Sequence, residues 1–234
     1  MLHTDPLPCL IPLLRFSIDF QMKFKIDKYE AFFFDFDGVI VDSVNIKTDA
    51  FAELYKPFGE EVISKVVSHH VSHGGMNRFE KFRYYHENFL NKKISESEVI
   101  ELAQNFSALV VSKVLNAPFI NGILEFLKLL KKENKEIFVI SATPEDEIKR
   151  IIEKRRFDRY FDDIKGSPAS KKENLKCLVE NHRLDPSECL YFGDSEQDLD
   201  AASSLKITFI PINFHDKNIG YSDFEALMNT QKML

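Results

Sequence analysis

Four short apolar stretches punctuate the chain: residues 31–36 (AFFFDF), 136–141 (EIFVIS), 189–193 (CLYFG) and 207–212 (ITFIPI). Each is bounded by turn or charge signals and lacks strict alternation, the pattern of strands buried on both faces of a parallel sheet. Residues 160–166 (YFDDIKG) read as a fifth, weaker strand. Helical segments lie between them. In NGILEFLKLLKKE, Ile123, Phe126, Leu127 and Leu130 share one face, as a helix packed on a sheet requires. Thr143 is placed as an N-cap, with Pro144 at the first helical position and Glu145 and Asp146 in the first turn. Ser170 and Glu173 have capping-box spacing, and Ser195 and Asp198 resemble it.

Residues 44–116 break this alternation. They hold no clear strand, and FEKFRYYHENFL and VIELAQNFSALVVSKVL carry helical period. The predicted class is therefore α/β: a parallel sheet flanked by helices, its core formed by residues 30–43 and 117–234, with a helical insertion over 44–116 after the first strand. NAPF (116–119) is the return linker. Residues 1–29 read as an N-terminal extension. Within it, CLIPLLRF lacks the basic flank and small-residue cleavage site of an export signal, and Met22 opens a natural lead-in to the first strand.

The polar residues gather at one edge. In an open parallel sheet, ligands bind outside the carboxyl ends of the strands. There the first strand ends in Asp35-Phe36-Asp37-Gly38, the second in Ser141-Ala142-Thr143 and the fourth in Gly193-Asp194-Ser195, while the helix after the third opens on Lys171 and Lys172. Carboxylates at the end of a buried strand are costly. Asp35, Asp37 and Asp194 together would repel one another unless a hard cation sat among them, and such oxygen ligands suit Mg²⁺. Two lysines in a first helical turn oppose the helix macrodipole, a balance that a bound phosphate would reverse.

Composition narrows the partners. The net charge is −6 and the pI about 5.7, without a dense Lys/Arg run, so nothing marks a nucleic-acid or anionic-membrane surface. No stretch approaches the roughly 18 apolar residues of a membrane span. Cys9, Cys177 and Cys189 are too few and scattered for a disulfide framework or a zinc site; they read as buried thiols of a cytoplasmic protein.

With these residues in view, the chain resembles the haloacid dehalogenase-like hydrolase superfamily, in its phosphoglycolate phosphatase and β-phosphoglucomutase branch. DFDGVIVDS matches the first family motif, VISAT the second, Lys171 the third and GDSEQDLDAA the fourth. The resemblance implies a Rossmann-like core with a helical cap, and a Mg²⁺-dependent phosphatase acting on a small phosphorylated metabolite. Asp35 would be the nucleophile and form an aspartyl-phosphate, and Asp37 the general acid and base. Ser141 and the Ala142 backbone N–H would hold phosphoryl oxygens. Lys171 would neutralise the phosphate, and Asp35, Asp37 and Asp194 would ligate the metal, with Asp198 in support. The third motif departs from the usual Lys-Pro, since SPASKKENL offers Lys172 as a rival; the place of Lys171 directly after the cap residue Ser170 favours it. A β-phosphoglucomutase-like sugar-phosphate mutase is the alternative. A non-catalytic protein on the same fold would have lost one of these residues, and none is lost.

Two features of the insertion stand apart. In SHHVSHGGMNRFEKF, Gly74-Gly75 followed by Arg78 resembles the branch's loop that dips toward the active site, which implies that Arg78 binds the far end of the substrate. The bland alternative is a surface arginine paired with Glu80 or a neighbour. His69, His70 and His73 read as packing or surface residues, since no carboxylate or cysteine partner marks a metal site.

Overall fold

The computed structural model describes residues 26–214 and 220–232. The reading of residues 1–25 and of Cys9 lies outside that range. After a 3-10 turn at Ile26–Lys28, strand β1 (Ala31–Phe34) leads into α1 (Val44–Tyr55), α2 (Glu60–Ser72), α3 (Arg78–Phe89) and α4 (Glu96–Asn116). The chain then alternates: α5 (Ile123–Lys132), β2 (Glu136–Pro144), α6 (Glu145–Lys154), β3 (Asp163–Ser167), α7 (Lys171–His182), β4 (Cys189–Gly193), α8 (Glu196–Ser204), β5 (Thr208–Pro211) and α9 (Phe224–Lys232). The strands form one parallel sheet in the order β3-β2-β1-β4-β5. This is a Rossmann-like α/β core with a helical cap inserted after its first strand.

Why the central strands look uniformly apolar is visible in their packing. Along β1, Phe32 and Phe34 face one side and Phe33 the other, and all are fully buried. Phe34 stacks on Phe192 with ring centroids 4.8 Å apart, on the side that Phe126 of α5 and Phe224 of α9 cover. On the opposite side, Phe33 stacks on Phe138 at 5.0 Å, under Leu175 and Leu178 of α7. Each buried aromatic of this kind contributes about 2–3 kcal/mol of transfer free energy, so both layers are needed to hold the sheet. The expected face of α5 is the one that is buried: Ile123, Phe126, Leu127 and Leu130.

The insertion has its own aromatic centre, where Phe51 of α1 lies 4.5 Å from Phe106 of α4 and 5.6 Å from Phe82 of α3, ring centre to ring centre. Its return to the core is held by Arg155, whose guanidinium donates to the carbonyls of Val114 and Ala117, both at 2.8 Å, and covers the Phe119 ring.

Local expectations need correction at two places. Strand β2 runs on to Pro144, so Thr143 is a strand residue, and Pro144 itself occupies the N-cap of α6. The cause is a competing use of the side chain: the Thr143 hydroxyl is engaged by Lys47 and Asp37, which leaves it none to cap with. Of the described cysteines, Cys189 is buried as expected, but Cys177 is exposed. It sits on the solvent side of α7, opposite the buried Leu175 and Leu178.

Candidate active site

The register of the sheet builds the site. Phe34 pairs with Val139 on one side and Phe192 on the other, so β1 and β4 end at nearly one level while β2 continues past them to Pro144. Asp35 follows immediately and remains tied to β4 through its N–H to the Phe192 carbonyl at 2.9 Å. Beyond it the chain turns sharply: the Gly38 N–H donates to the Val41 carbonyl at 2.8 Å. Gly38 has φ +81°, and a Cβ there would strike the Asp194 carboxylate. Glycine is required both for the left-handed backbone and for this close approach.

The acids lie in different environments. Asp35 is buried, and Lys171 Nζ stands 3.1 Å from its Oδ1. Burial lifts the Asp35 carboxyl to about 7; Lys171 offsets part of this, while Asp198 and Asp37 add to it. Asp37 goes the other way. Burial would raise it, but the Lys47 ammonium beside Oδ2 and the Ser43 hydroxyl, donating to Oδ1 at 2.6 Å, hold it below the ordinary carboxylate range. The Thr143 hydroxyl donates to Asp37 Oδ2 at 3.3 Å and accepts from Lys47 Nζ at 2.7 Å.

Lys171, not Lys172, points inward. Its ammonium bridges Asp35 and Asp198 Oδ1, the latter at 2.7 Å, whereas Lys172 is exposed. Desolvation opposes its charge, and the carboxylates of Asp198, Asp35 and Asp194 outweigh it, so the amine is held firmly protonated. Asp198 is fully buried and fully used. Oδ1 also accepts from Tyr191 Oη at 2.8 Å, and Oδ2 accepts from the Ser195 hydroxyl and from its N–H at 3.2 Å. That makes Asp198 a holder of Lys171 and of the α8 start.

A cation fits the donor set. Asp35, Asp194 and Asp198 each present a carboxylate oxygen within 4.8 Å of the others. With Asp198 saturated, Asp35 and Asp194 are the two that offer ligand atoms. Burial and the nearby Asp35 and Asp198 charges push Asp194 well above the usual carboxylate range, and no cation lies within ion-pair distance of it among the described residues. Hard oxygen donors in a buried acidic cluster suit a divalent cation such as Mg²⁺.

The remaining sequence-predicted residues divide. Ala142 lines the cavity above Asp35, and so does Thr143. Ser141 lies beneath them, buried, its hydroxyl accepting the Thr143 N–H at 3.1 Å. Arg78 lines the cavity but does not pair with Glu80: its guanidinium meets Glu147 of α6 in a two-pronged ion pair at 2.6 and 3.1 Å and donates to Ser107 Oγ at 2.6 Å. This clasp joins cap to core in a buried setting. A second junction is the loop at Gly75, whose N–H donates to Gln197 Oε1 at 3.3 Å; a Cβ at Gly75 would press on Gln197 Cβ at 2.6 Å.

Sequence reasoning missed Lys47, Lys81 and Glu147, and it read Thr143 as a helix cap and His70 as a packing or surface residue. A usable signal existed for the charged ones. On α3, Arg78, Lys81, Phe82 and Tyr85 are buried together, and on α6 Glu147 is buried with Ile148, Ile151 and Ile152. Charges in phase with an apolar stripe face inward. His69 packs between His73 and Tyr84, with ring centres at 4.1 and 4.2 Å, and His70 lies against Phe51 at 4.7 Å. The cavity between cap and core is about 300 Å³ and partly open to solvent.

Comparisons with known proteins give the family. The chain is 28% identical over 181 residues to phosphoglycolate phosphatase 1 of Pseudomonas aeruginosa, covering 74% of this chain and 65% of that protein. It is 26% identical over 208 residues to a phosphorylated carbohydrates phosphatase of Thermotoga maritima, covering 84% of this chain and 91% of that one. Among solved structures, β-phosphoglucomutase from Clostridium difficile superposes with a TM-score of 0.70 at 24% identity, over 88% of this chain and 98% of that one, a likeness of fold. Residues 32–212 match the haloacid dehalogenase-like hydrolase family, and the chain belongs to it.

Proposed function

We propose that the protein is a metal-dependent phosphatase that hydrolyses a small phosphate monoester through a phosphorylated Asp35. The observation that carries this reading is the separation of the two carboxylates Asp35 and Asp37 into opposite environments, one under Lys171 and the other gripped by Lys47, in the lining of one cavity. Carboxylates pushed apart in this way divide into two roles.

Asp35 Oδ attacks phosphorus, forming the Asp35–phosphoryl bond as the ester P–O bond breaks. Asp37 gives its proton to the departing oxygen, then takes one from the water that attacks the acyl phosphate, which releases inorganic phosphate and restores the Asp35 carboxylate. The Lys47 contact favours the ionised, water-activating form of Asp37, so the proton it gives in the first step must be taken up from solvent before the ester bond breaks. Lys171 holds Asp35 in place and faces the phosphate charge; Ala142 and Thr143 border the space the phosphoryl oxygens would occupy. Asp35 and Asp194, with the Asp37 main-chain carbonyl, would hold the Mg²⁺, which when bound supplies neutralisation of phosphoryl charge. The cavity, about 300 Å³ and partly open to solvent, favours a small metabolite over a phosphoprotein.

The test is phosphate release from a panel of small phosphate esters with Mg²⁺ and with EDTA, by the wild type and by Asp35→Asn. Metal-dependent release that disappears in the variant is expected. Isomerisation of a sugar phosphate without phosphate release would instead establish a mutase.

A further inference from the structure

Among the described residues, the lysines and arginine that line the cavity are each answered by a carboxylate, except one. Lys47 meets Asp37, Lys171 meets Asp35 and Asp198, and Arg78 meets Glu147. Lys81, on the cap helix α3, lines the same cavity, is 1% exposed and has no carboxylate within ion-pair distance. Its Nζ lies 2.7 Å from His70 Nδ1 and 5.4 Å from the centre of the Phe51 ring. An ammonium has three N–H donors, and one is used here. When Lys81 is an ammonium, Nδ1 accepts from it and the imidazole proton sits on Nε2.

Stability does not account for this pair. An ammonium buried without a counter-ion costs several kcal/mol, and an apolar side chain of the same length would serve the fold better. Burial pulls the Lys81 amine well below its ordinary pKa, with Lys47 and Lys171 acting in the same direction and Asp37 and Asp194 against it. Burial likewise keeps His70 neutral, so it orients the amine without adding charge. A negative group on a bound molecule would supply the missing counter-charge.

We infer that Lys81, oriented by His70, receives a carboxylate at the end of the substrate remote from its phosphate, so that the substrates are phosphate esters of hydroxy acids. A carboxylate fits better than a second phosphate, because one amine with two remaining N–H groups matches a single negative charge. Arg78 gives three of its five N–H groups to Glu147 and Ser107, and its charge is already matched by the Glu147 carboxylate, which leaves Lys81 as the receptor. The inference rests on the phosphatase reading for the placement of the ester phosphate.

The test uses pairs of esters that differ only by carboxylate against hydroxymethyl: 3-phosphoglycerate against glycerol 3-phosphate, and 6-phosphogluconate against sorbitol 6-phosphate. Calorimetric binding to the Asp35→Asn protein with Mg²⁺ should favour the acid of at least one pair about ten- to a hundredfold. Adding Lys81→Met, or Lys81→Gln should the first variant fail to show a native melting transition, should shrink that preference to about twofold or less. Equal binding within both pairs, a preference that survives both Lys81 variants, or tighter binding of fructose 1,6-bisphosphate than of either acid would overturn the assignment. Wild-type phosphate release from the same panel tests the other reading separately. A binding preference without release sinks the phosphatase, and release without a preference sinks the carboxylate receptor.

Discussion

The core and the cap each bury a lysine against the same cavity, and the two are treated in opposite ways. Lys171 of the core sits between Asp35 and Asp198 and is held firmly charged, whereas Lys81 of the cap has an imidazole and an aromatic face and is pulled toward neutrality. Lys171 has its counter-charges without any ligand. Lys81 leaves one open. The core is thus arranged around chemistry common to every substrate, while the cap offers a charge that only some molecules can match.

Removing each lysine should break the comparison at a different point. Lys171→Met leaves Asp35 and Asp198 facing each other unneutralised, so kcat/KM should fall by roughly a thousandfold or more. In EDTA the fold should lose about 3 kcal/mol, readable by denaturant titration; an unchanged midpoint would show that the carboxylates do not depend on this amine.

The cap–core clasp comes next. Arg78→Met strands the buried Glu147 and should cost about 3 kcal/mol, while Arg78→Met combined with Glu147→Gln should recover part of the loss. The coupling in that double-mutant cycle is expected to exceed about 1 kcal/mol, and strict additivity would remove the clasp from the account.

Lys81→Met should have the reverse sign of Lys171→Met. Relieving an unmatched buried amine should leave the melting temperature unchanged or raise it by about 2–4 °C. A fall of several degrees would mean that Lys81 serves the fold after all. The smallest effect is expected for Ser43→Ala, which deletes one hydrogen bond to Asp37 and should lower kcat/KM by about fivefold. No change at all would mean that Lys47 and Thr143 position Asp37 unaided.

The same contrast governs what the sequence reveals. The core strands are legible because both their faces are buried, which makes AFFF and CLYFG continuous apolar runs, and because their polar residues follow directly at the strand ends. Asp35, Asp37 and Asp194 can therefore be placed at one edge from the amino-acid order alone. In the cap, site residues come from helices whose interior faces mix aromatic and charged side chains. Lys81 in RFEKFRYY is three residues from Arg78 and looks like surface charge until Phe82 and Tyr85 show which face is buried. Arg78 itself stands out from its loop, but its partner Glu147 lies beyond two further helices and a strand, a separation that no local spacing can bridge. Thr143 reads as a helix cap for a related reason: Lys47, which competes for its hydroxyl, comes from the cap domain.

The central claim is that phosphate is transferred to Asp35 and that Asp37 handles protons. It is tested most directly with Asp37→Asn during turnover of p-nitrophenyl phosphate, whose leaving group needs no general acid but whose acyl phosphate would then lack a base to clear it. Acid quench, borohydride reduction and peptide mass spectrometry should find homoserine at position 35, dependent on Mg²⁺. Release of p-nitrophenol with position 35 unmodified throughout would contradict the account.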